Sequence, residues 1–281
     1  MSDSVILSGV TFVYLLSFLL YLVRMVRGRE FWGSAASWIA RIGFLLHSAA
    51  LLLRWKSSYD LGIGHVPLAN FYESLIFFAW AVLLLYLIIE WRTRSRSFGA
   101  FVIPVAFLLL AFASTSPGVS DRIQPLIPAL QSNWLTVHVL TCFLGYASFA
   151  VAFAVGIMYL LKGRGRDGGT EEGTFLSLIP AFDALEELLY QGVVLGFVLL
   201  SLGIMTGSVW AHYAWGSYWS WDPKETWSLI TWFIYAAFLH CRFMRGWRGR
   251  RAAWISIIGF LSVLFTYYGV NFLLPGLHSY A

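Results

Sequence analysis

Apolar stretches of about 20 residues, the length needed to cross a bilayer, recur along the whole chain. They lie near 5–26, 32–53, 68–90, 98–115, 136–160, 188–210, 224–243 and 251–273. Only 12% of the residues are charged, about half the proportion found in soluble domains. The sequence therefore predicts an all-α fold, a polytopic membrane helix bundle with about eight transmembrane helices. No connection is long enough to fold separately, so we expect a single transmembrane domain over 1–281.

Basic residues are divided unequally between the two sets of connections. Fourteen of the 19 Lys and Arg residues fall in or next to the connections near 24–29, 92–96, 162–166 and 242–251. Loops rich in Lys and Arg stay on the cytoplasmic side. We therefore expect these connections to be cytoplasmic and both termini to lie outside. The Gly-rich stretch 162–173 is predicted to be a flexible loop, and no basic stripe indicates nucleic-acid binding.

Five of the six histidines fall in the outer half of this topology, and His138 lies at the outer mouth of the fifth span. Histidine is a common nitrogen ligand for haem iron, although interfacial histidines often have no function. His240 differs because it lies near the inner end of the seventh span. An ionisable residue in a span by default marks a site, but a side chain that snorkels to the interface would explain it equally well.

A Trp-rich segment connects the sixth and seventh spans at about 210–225. Trp215, Trp219 and Trp221 offer large flat faces. Asp222, followed by Pro223 and Glu225, predicts a capping box that opens the seventh span. The terminus of such a helix favours anions, although the two carboxylates compete for it. An interfacial aromatic belt is the alternative interpretation, but a belt does not require so many Trp residues so close together.

This segment resembles the tryptophan-rich "WWD" signature of haem-handling membrane proteins. The stretch Trp-Gly-Ser-Tyr-Trp-Ser-Trp-Asp-Pro-Lys-Glu-Thr-Trp at 215–227 is most similar to the CcsA/ResC type of cytochrome c synthase in system II. Four other segments resemble the same family: 67–75, 134–139, 239–242 and 276–280. The resemblance extends from about residue 40 to the end of the sequence.

The resemblance implies that His138 and His278 are axial ligands of haem iron at the Trp-rich site, with Trp215, Trp219, Trp221 and Asp222 around the haem. It implies that His240 holds haem b near the cytoplasmic side, with a second ligand from a ResB/CcsB-type partner. The implied function is haem export and covalent attachment to the Cys-x-x-Cys-His motif of apocytochrome c, as a cytochrome c haem lyase subunit.

The implied location is a bacterial cytoplasmic (inner) membrane rather than a thylakoid membrane, and a thioredoxin-like protein would keep the substrate thiols reduced. Two alternatives stay open. A b-type cytochrome that carries electrons would need facing histidine pairs, which the outer pair permits. A haem exporter without ligase activity cannot be separated from a synthase by sequence. A transporter of another solute would place its polar site near the midplane.

Overall fold

The computed structural model describes residues 3–167, 174–274 and 276, and this part of the chain is almost entirely helical. The helices are α1 Asp3–Arg27, α2 Glu30–Asp60, α3 Phe71–Thr93, α4 Gly99–Thr115, α5 Asn133–Asp167, α6 Thr174–Ser177, α7 Phe182–Trp215, α8 Pro223–Arg245, α9 Arg250–Leu264 and α10 Val270–Leu273. A 3₁₀ turn, Pro128–Leu130, precedes α5, and a π-helical segment, Phe265–Gly269, joins α9 to α10.

The predicted membrane helix bundle is confirmed. Six helical segments of the described chain are long and apolar enough to cross a membrane: α1, α2, α3, Asn133–Arg164 of α5, α7 and the continuous run Arg250–Leu273. Helix α4 is apolar but has only 17 residues. Helix α8 has 23 residues and is less apolar than its neighbours. The orientation of the termini stays a prediction.

Local sequence explains where several helices begin and end. The side chain of Asn70 accepts a hydrogen bond from the backbone N–H of Glu73 at 2.8 Å and caps α3. The predicted capping box of Asp222 and Glu225 is present at the start of α8. Helix α7 ends at Gly216, whose φ of 78° lies in the left-handed region that glycine adopts without steric cost.

Helices α5 and α7 extend well beyond a bilayer. They contain 35 and 34 residues, which corresponds to about 50 Å, whereas the hydrocarbon core is about 30 Å thick. The prediction of a loop from residue 162 was wrong in its first part, because α5 remains helical to Asp167. Lys162 anchors this extension by donating to the carbonyl of Ile179 at 2.8 Å. Residues 168–173 lie outside the described chain.

Helix α5 lies at the centre of the bundle and packs against α3, α7 and α9. Its contact with α7 depends on glycine. A Cβ atom on Gly145 would lie 3.2 Å from the carbonyl oxygen of Gly196, so the two backbones approach as closely as small residues allow in membrane proteins. Gly203 and Gly207 continue this close approach toward the end of α7.

Buried ion pairs join the ends of the other helices. The Arg54 guanidinium, 1% exposed, donates to Glu73 Oε1 and to Asp3 Oδ2 at 2.9 Å each. It also reaches the carbonyl of Asp121 at 2.8 Å. These contacts hold the start of α1, the end of α2 and the start of α3 together at one end of the bundle. We call this end the cavity end.

Candidate functional site

A cavity of about 160 Å³ opens at the cavity end of the bundle. Most of its wall is apolar or aromatic, and its lining comes from the starts of α3, α5 and α8, the end of α7 and the π segment. The polar side chains in the lining are those of Asn70, Ser74, His138, Ser208, Lys224, Glu225, Ser228, Thr266 and Asn271, together with three tyrosines of the wall and the indoles of Trp210 and Trp219.

His138 lines this cavity from the second turn of α5. Its Nδ1 lies 2.7 Å from the carbonyl oxygen of Gly203 on α7. A carbonyl oxygen only accepts, so Nδ1 carries the hydrogen and donates it. The nitrogen lone pair that can bind a metal then belongs to Nε2, an arrangement common among metal-binding histidines.

Two glycines of α7 allow α5 to approach closely beside His138. A Cβ atom on Gly207 would lie 2.5 Å from His138 Nδ1, so this glycine leaves room for the ring, and one on Gly203 would lie 2.5 Å from Cys142 Sγ. The two glycines are four residues apart and therefore share one face of the helix. Neither position was predicted from the sequence, although glycines at this spacing in an apolar helix indicate close helix contact.

Trp210 supports His138 from behind. It is 1% exposed, its ring stacks at 5.9 Å and 18° on the His138 ring, and its indole N–H donates to Ala129 O at 2.8 Å. Trp215 packs edge-to-face on Trp210 at 4.7 Å. Trp215 was predicted from the sequence to be a site residue, whereas Trp210 was not.

The other tryptophans of the predicted site occupy different positions. Helix α7 covers 210–215, so the non-helical turn runs only from 216 to 222. Trp219 lines the cavity, whereas Trp221 is 68% exposed and contacts Trp219 edge-to-face at 5.8 Å. Trp221 also has a φ of 59°, which is uncommon for a residue with a large side chain.

Asp222 is buried beneath this turn at the start of α8, and its Oδ2 accepts the backbone N–H of Lys224 at 3.0 Å. Glu225 Oε2 accepts the backbone N–H groups of Ser220 and Asp222 at 2.8 and 3.2 Å. The two carboxylates therefore hold the turn against the helix. Gly276 approaches this cap, because a Cβ atom there would lie 2.5 Å from Asp222 Oδ1.

The π segment forms the floor of the cavity. A π-helical turn inside an α-helix often occurs at functional sites, and here it presents Thr266 and Tyr267 to the cavity. The Tyr267 hydroxyl and Ser74 of α3 are 2.6 Å apart in a buried hydrogen bond. The 67–75 segment, one of those that resemble the family, thus contributes the Asn70 cap, the ion pair of Glu73 and this hydrogen bond of Ser74. The π segment was not predicted, since the sequence indicated one continuous helix over 251–273.

The remaining histidines are distributed over the molecule. His240 is exposed near the far end of α8, 18 residues or about 27 Å along the helix from Asp222. His47 is fully buried and bonded to the Tyr14 hydroxyl at 3.1 Å. His65 lies between the carbonyls of Val66 and Gln124, and His212 stacks on Tyr218 at 4.2 Å. His278 lies outside the described residues.

Comparison with known proteins identifies the family. Residues 68–278 match the family described as "Cytochrome C assembly protein". The cytochrome c biogenesis protein CcsA of Porphyra purpurea is 42% identical over 277 residues, covering 86% of each chain. CcsA of Synechococcus sp. (strain CC9902) is 41% identical, covering 86% of this chain and 85% of that protein.

Among solved structures, a chain described as "Cytochrome c Heme Lyase CcmF" has the same fold, with a TM-score of 0.72 at 19% identity. The similarity covers 95% of this chain but only 47% of that one, so the present chain spans about half the length of its structural relative. Because the match covers most of the sequence and includes every segment that forms the cavity, this chain belongs to the cytochrome c assembly protein family.

Proposed function

We propose that this chain binds haem b in the cavity and takes part in attaching it covalently to apocytochrome c. The observation that carries the proposal is the geometry of His138. Its Nδ1 donates to a backbone carbonyl, its tautomer gives Nε2 the lone pair, and it lines an aromatic cavity. The family and the relative from Porphyra purpurea are described as cytochrome c assembly and biogenesis proteins, which supports the proposal.

The side chains of the cavity suit haem as a substrate. Because the cavity volume of about 160 Å³ is smaller than that of a pocket that encloses a ligand of this size, we propose that part of the haem lies outside it. Trp219 and the apolar lining offer the surface that a flat macrocycle requires. His138 offers one axial nitrogen, and we propose His278 as the other. His278 is two residues beyond Gly276, which contacts the cap of α8.

The proposed reaction places few chemical demands on the protein. Each thiol of a Cys-x-x-Cys-His motif adds across one haem vinyl group, forming a C–S and a C–H bond at the expense of an S–H bond and the vinyl π bond. No oxidant is consumed, and holding the two reactants in register removes much of the barrier. A thioredoxin-like protein is the proposed source of reduced substrate thiols.

We propose a second, inner haem position at His240. This residue belongs to an exposed stripe on α8 with helical spacing. Its members are Ile230, Phe233, Ala237, His240 and Met244. Such a surface suits a membrane-embedded partner helix, and a ResB/CcsB-type protein is the proposed partner. That partner would supply the second ligand of the inner haem.

The charge distribution supports a location of the cavity on the non-cytoplasmic side. The Arg-rich connections near 24–29, 92–96 and 242–251 lie at the opposite end of the bundle from the cavity. We propose a bacterial cytoplasmic membrane. A thylakoid membrane would impose the same charge bias, and fractionation of source cells distinguishes the two locations.

Replacement of His138 or His278 by alanine tests the proposal. We expect each variant, co-expressed with a ResB-type partner and an apocytochrome, to retain less haem and to yield no covalently haem-stained cytochrome. His212→Ala is the matched control, because His212 is an exposed histidine at the same end, and it should retain activity. Normal maturation in both single variants would disprove the ligand assignment. Haem binding by the wild type without any covalent product would favour an electron carrier or exporter.

A further inference from the structure

Lys224 brings a positive charge into the lining of the cavity. It belongs to the first turn of α8, and its Nζ donates to Asn271 Oδ1 at 2.6 Å. Asn271 is oriented for this contact because its Nδ2 donates to the Tyr267 carbonyl at 2.7 Å. Among the described lining residues, Lys224 is the one Lys or Arg. The ammonium is thus held at a defined place beside the floor.

The backbone of the α8 terminus cannot perform the same task. An open helix N-terminus attracts anions through its N–H groups. Here the Asp222 carboxylate takes the N–H of Lys224, and the Glu225 carboxylate takes those of Ser220 and Asp222. Two acidic groups already occupy this end. An anionic ligand in the cavity would therefore depend on the Lys224 side chain.

The other charges near Lys224 are the carboxylates of Asp222 and Glu225, which do not favour an anionic ligand. Asp222 attracts the ammonium, while Glu225, which also lines the cavity, would repel an anion. Glu225 Oε2 is directed at the turn, where it also accepts the Ser220 hydroxyl at 3.2 Å. Its charge is therefore partly satisfied by three donors. The Lys224 ammonium has three N–H donors, so a carboxylate can share it with Asn271 and with the other groups that it contacts.

We propose that Lys224 binds a propionate carboxylate of haem and thereby sets the rotational position of the macrocycle in the cavity. The inference rests on the proposed function. In haem b the two propionates lie on the edge opposite the two vinyl groups. An anchor for the propionate edge, combined with the iron ligand His138, would direct the reactive vinyl edge away from Lys224. Lys224 is therefore a positioning residue.

A comparison of haem with its dimethyl ester, in which both carboxylates are blocked, tests this proposal without measuring activity. Purified protein in detergent is titrated with each compound, and binding is followed by the absorbance of the haem. A charge-assisted hydrogen bond of this kind is expected to make the wild type bind haem at least about tenfold more tightly than the ester. In Lys224→Met the preference should fall toward one, and in Lys224→Arg it should largely persist.

Lys56→Met is the matched control, because Lys56 is an exposed lysine, 71% accessible, paired with Asp60 at the same end of the bundle. It should keep the wild-type preference. Persistence of the full preference in Lys224→Met would overturn the anchor while leaving haem binding intact. So would equal affinity of the wild type for both compounds. A wild type that binds neither compound would instead refute the proposed function.

Discussion

Gly207 and Gly203 lie one helical turn apart on α7 and determine where the ring of His138 can lie. Gly207 leaves room for the imidazole, and Gly203 supplies the carbonyl that accepts from Nδ1. The position of the proposed iron ligand therefore depends on the absence of side chains at these positions of α7 as well as on α5. Residue roles of this kind depend on what the opposite helix presents.

Gly207→Ala is expected to weaken haem binding. The added methyl group would lie 2.5 Å from His138 Nδ1, and overpacking of this type typically costs about 1–3 kcal/mol. Haem content of the purified protein measures the effect. Gly9→Ala is the control, because nothing lies within 4 Å of a Cβ atom there. Alanine also stabilises a helix by about 1 kcal/mol relative to glycine. Equal haem content in both variants would contradict the role of Gly207.

The local sequence signalled some of these residues but not others. The Asp222 capping box and the aromatic turn with Trp219 could be predicted from residue type and spacing alone, whereas His138 was singled out as a ligand by the family resemblance. The role of Trp210 could not be predicted, because it comes from contacts between α5 and α7. The spacing of the two glycines indicates a close helix contact but does not tell that His138 lies opposite. Trp215 and Trp221 look equivalent to Trp219 in the sequence. Trp215, the last residue of α7, packs against Trp210, whereas Trp221 lies in the turn after the helix and is exposed.

At the scale of helices, the Arg54–Glu73 pair fastens the end of α2 to the start of α3. Both side chains are almost inaccessible, at 1% and 0% exposure. Removing one partner of a buried ion pair strands the other charge. Glu73 additionally accepts the N–H of Ala69 at 2.8 Å, so the pair also positions this residue of the cavity lining.

Glu73→Gln is expected to lower the free energy of unfolding by about 3 kcal/mol, the lower end of the range for a buried pair, because Arg54 keeps Asp3 as a second partner. Thermal unfolding in detergent measures the loss. Replacing both partners, Arg54→Met with Glu73→Leu, should recover part of the loss. The control is Asp60→Asn, which breaks the exposed Lys56–Asp60 pair, 71% and 61% accessible. Such surface pairs contribute about 0–1 kcal/mol. A loss in Glu73→Gln no larger than in this control would show that the buried pair is not structural.

The number and type of helices could be predicted from apolar length, since the bilayer imposes both. Two departures have physical causes that apolar length does not encode. Helix α5 continues past the bilayer because Lys162 finds a tertiary partner in Ile179 O. The π segment interrupts the last helix where Tyr267 reaches Ser74 of α3, and this requires knowing that α3 lies opposite.

At the scale of the whole molecule, the proposed haem positions lie at opposite ends of α8, separated by about 27 Å. One haem cannot contact both ends. If the outer cavity is supplied from the inner position, His240→Ala should also empty the outer cavity. External imidazole should partly restore its loading by replacing the lost ligand.

The measurement is the haem spectrum of the purified complex with its partner, in which the outer haem is assigned by its loss in His138→Ala. His212→Ala, which removes an exposed histidine at the other end of the bundle, away from the proposed partner surface, serves as the control. Unchanged outer loading in His240→Ala would refute the relay and leave His240 as a side chain that snorkels to the interface.

The hydrogen bond between Ser74 and Tyr267 closes the inner end of the cavity, which limits how haem could move between the two proposed positions. Aromatic rings fill the interior around it. Phe78 and Phe143 pack against the Tyr267 ring, Tyr146 packs against both of these phenylalanines, and further along α5 Phe149 stacks on Tyr235 at 3.6 Å. A rigid disc as wide as a porphyrin could pass between helices spaced about 8–10 Å apart only by separating them. The cavity is therefore a dead end toward the membrane centre. In the proposed relay, haem would therefore move from His240 along the outside of the bundle, on the lipid-facing or partner-covered side of α8, and enter the cavity through its opening.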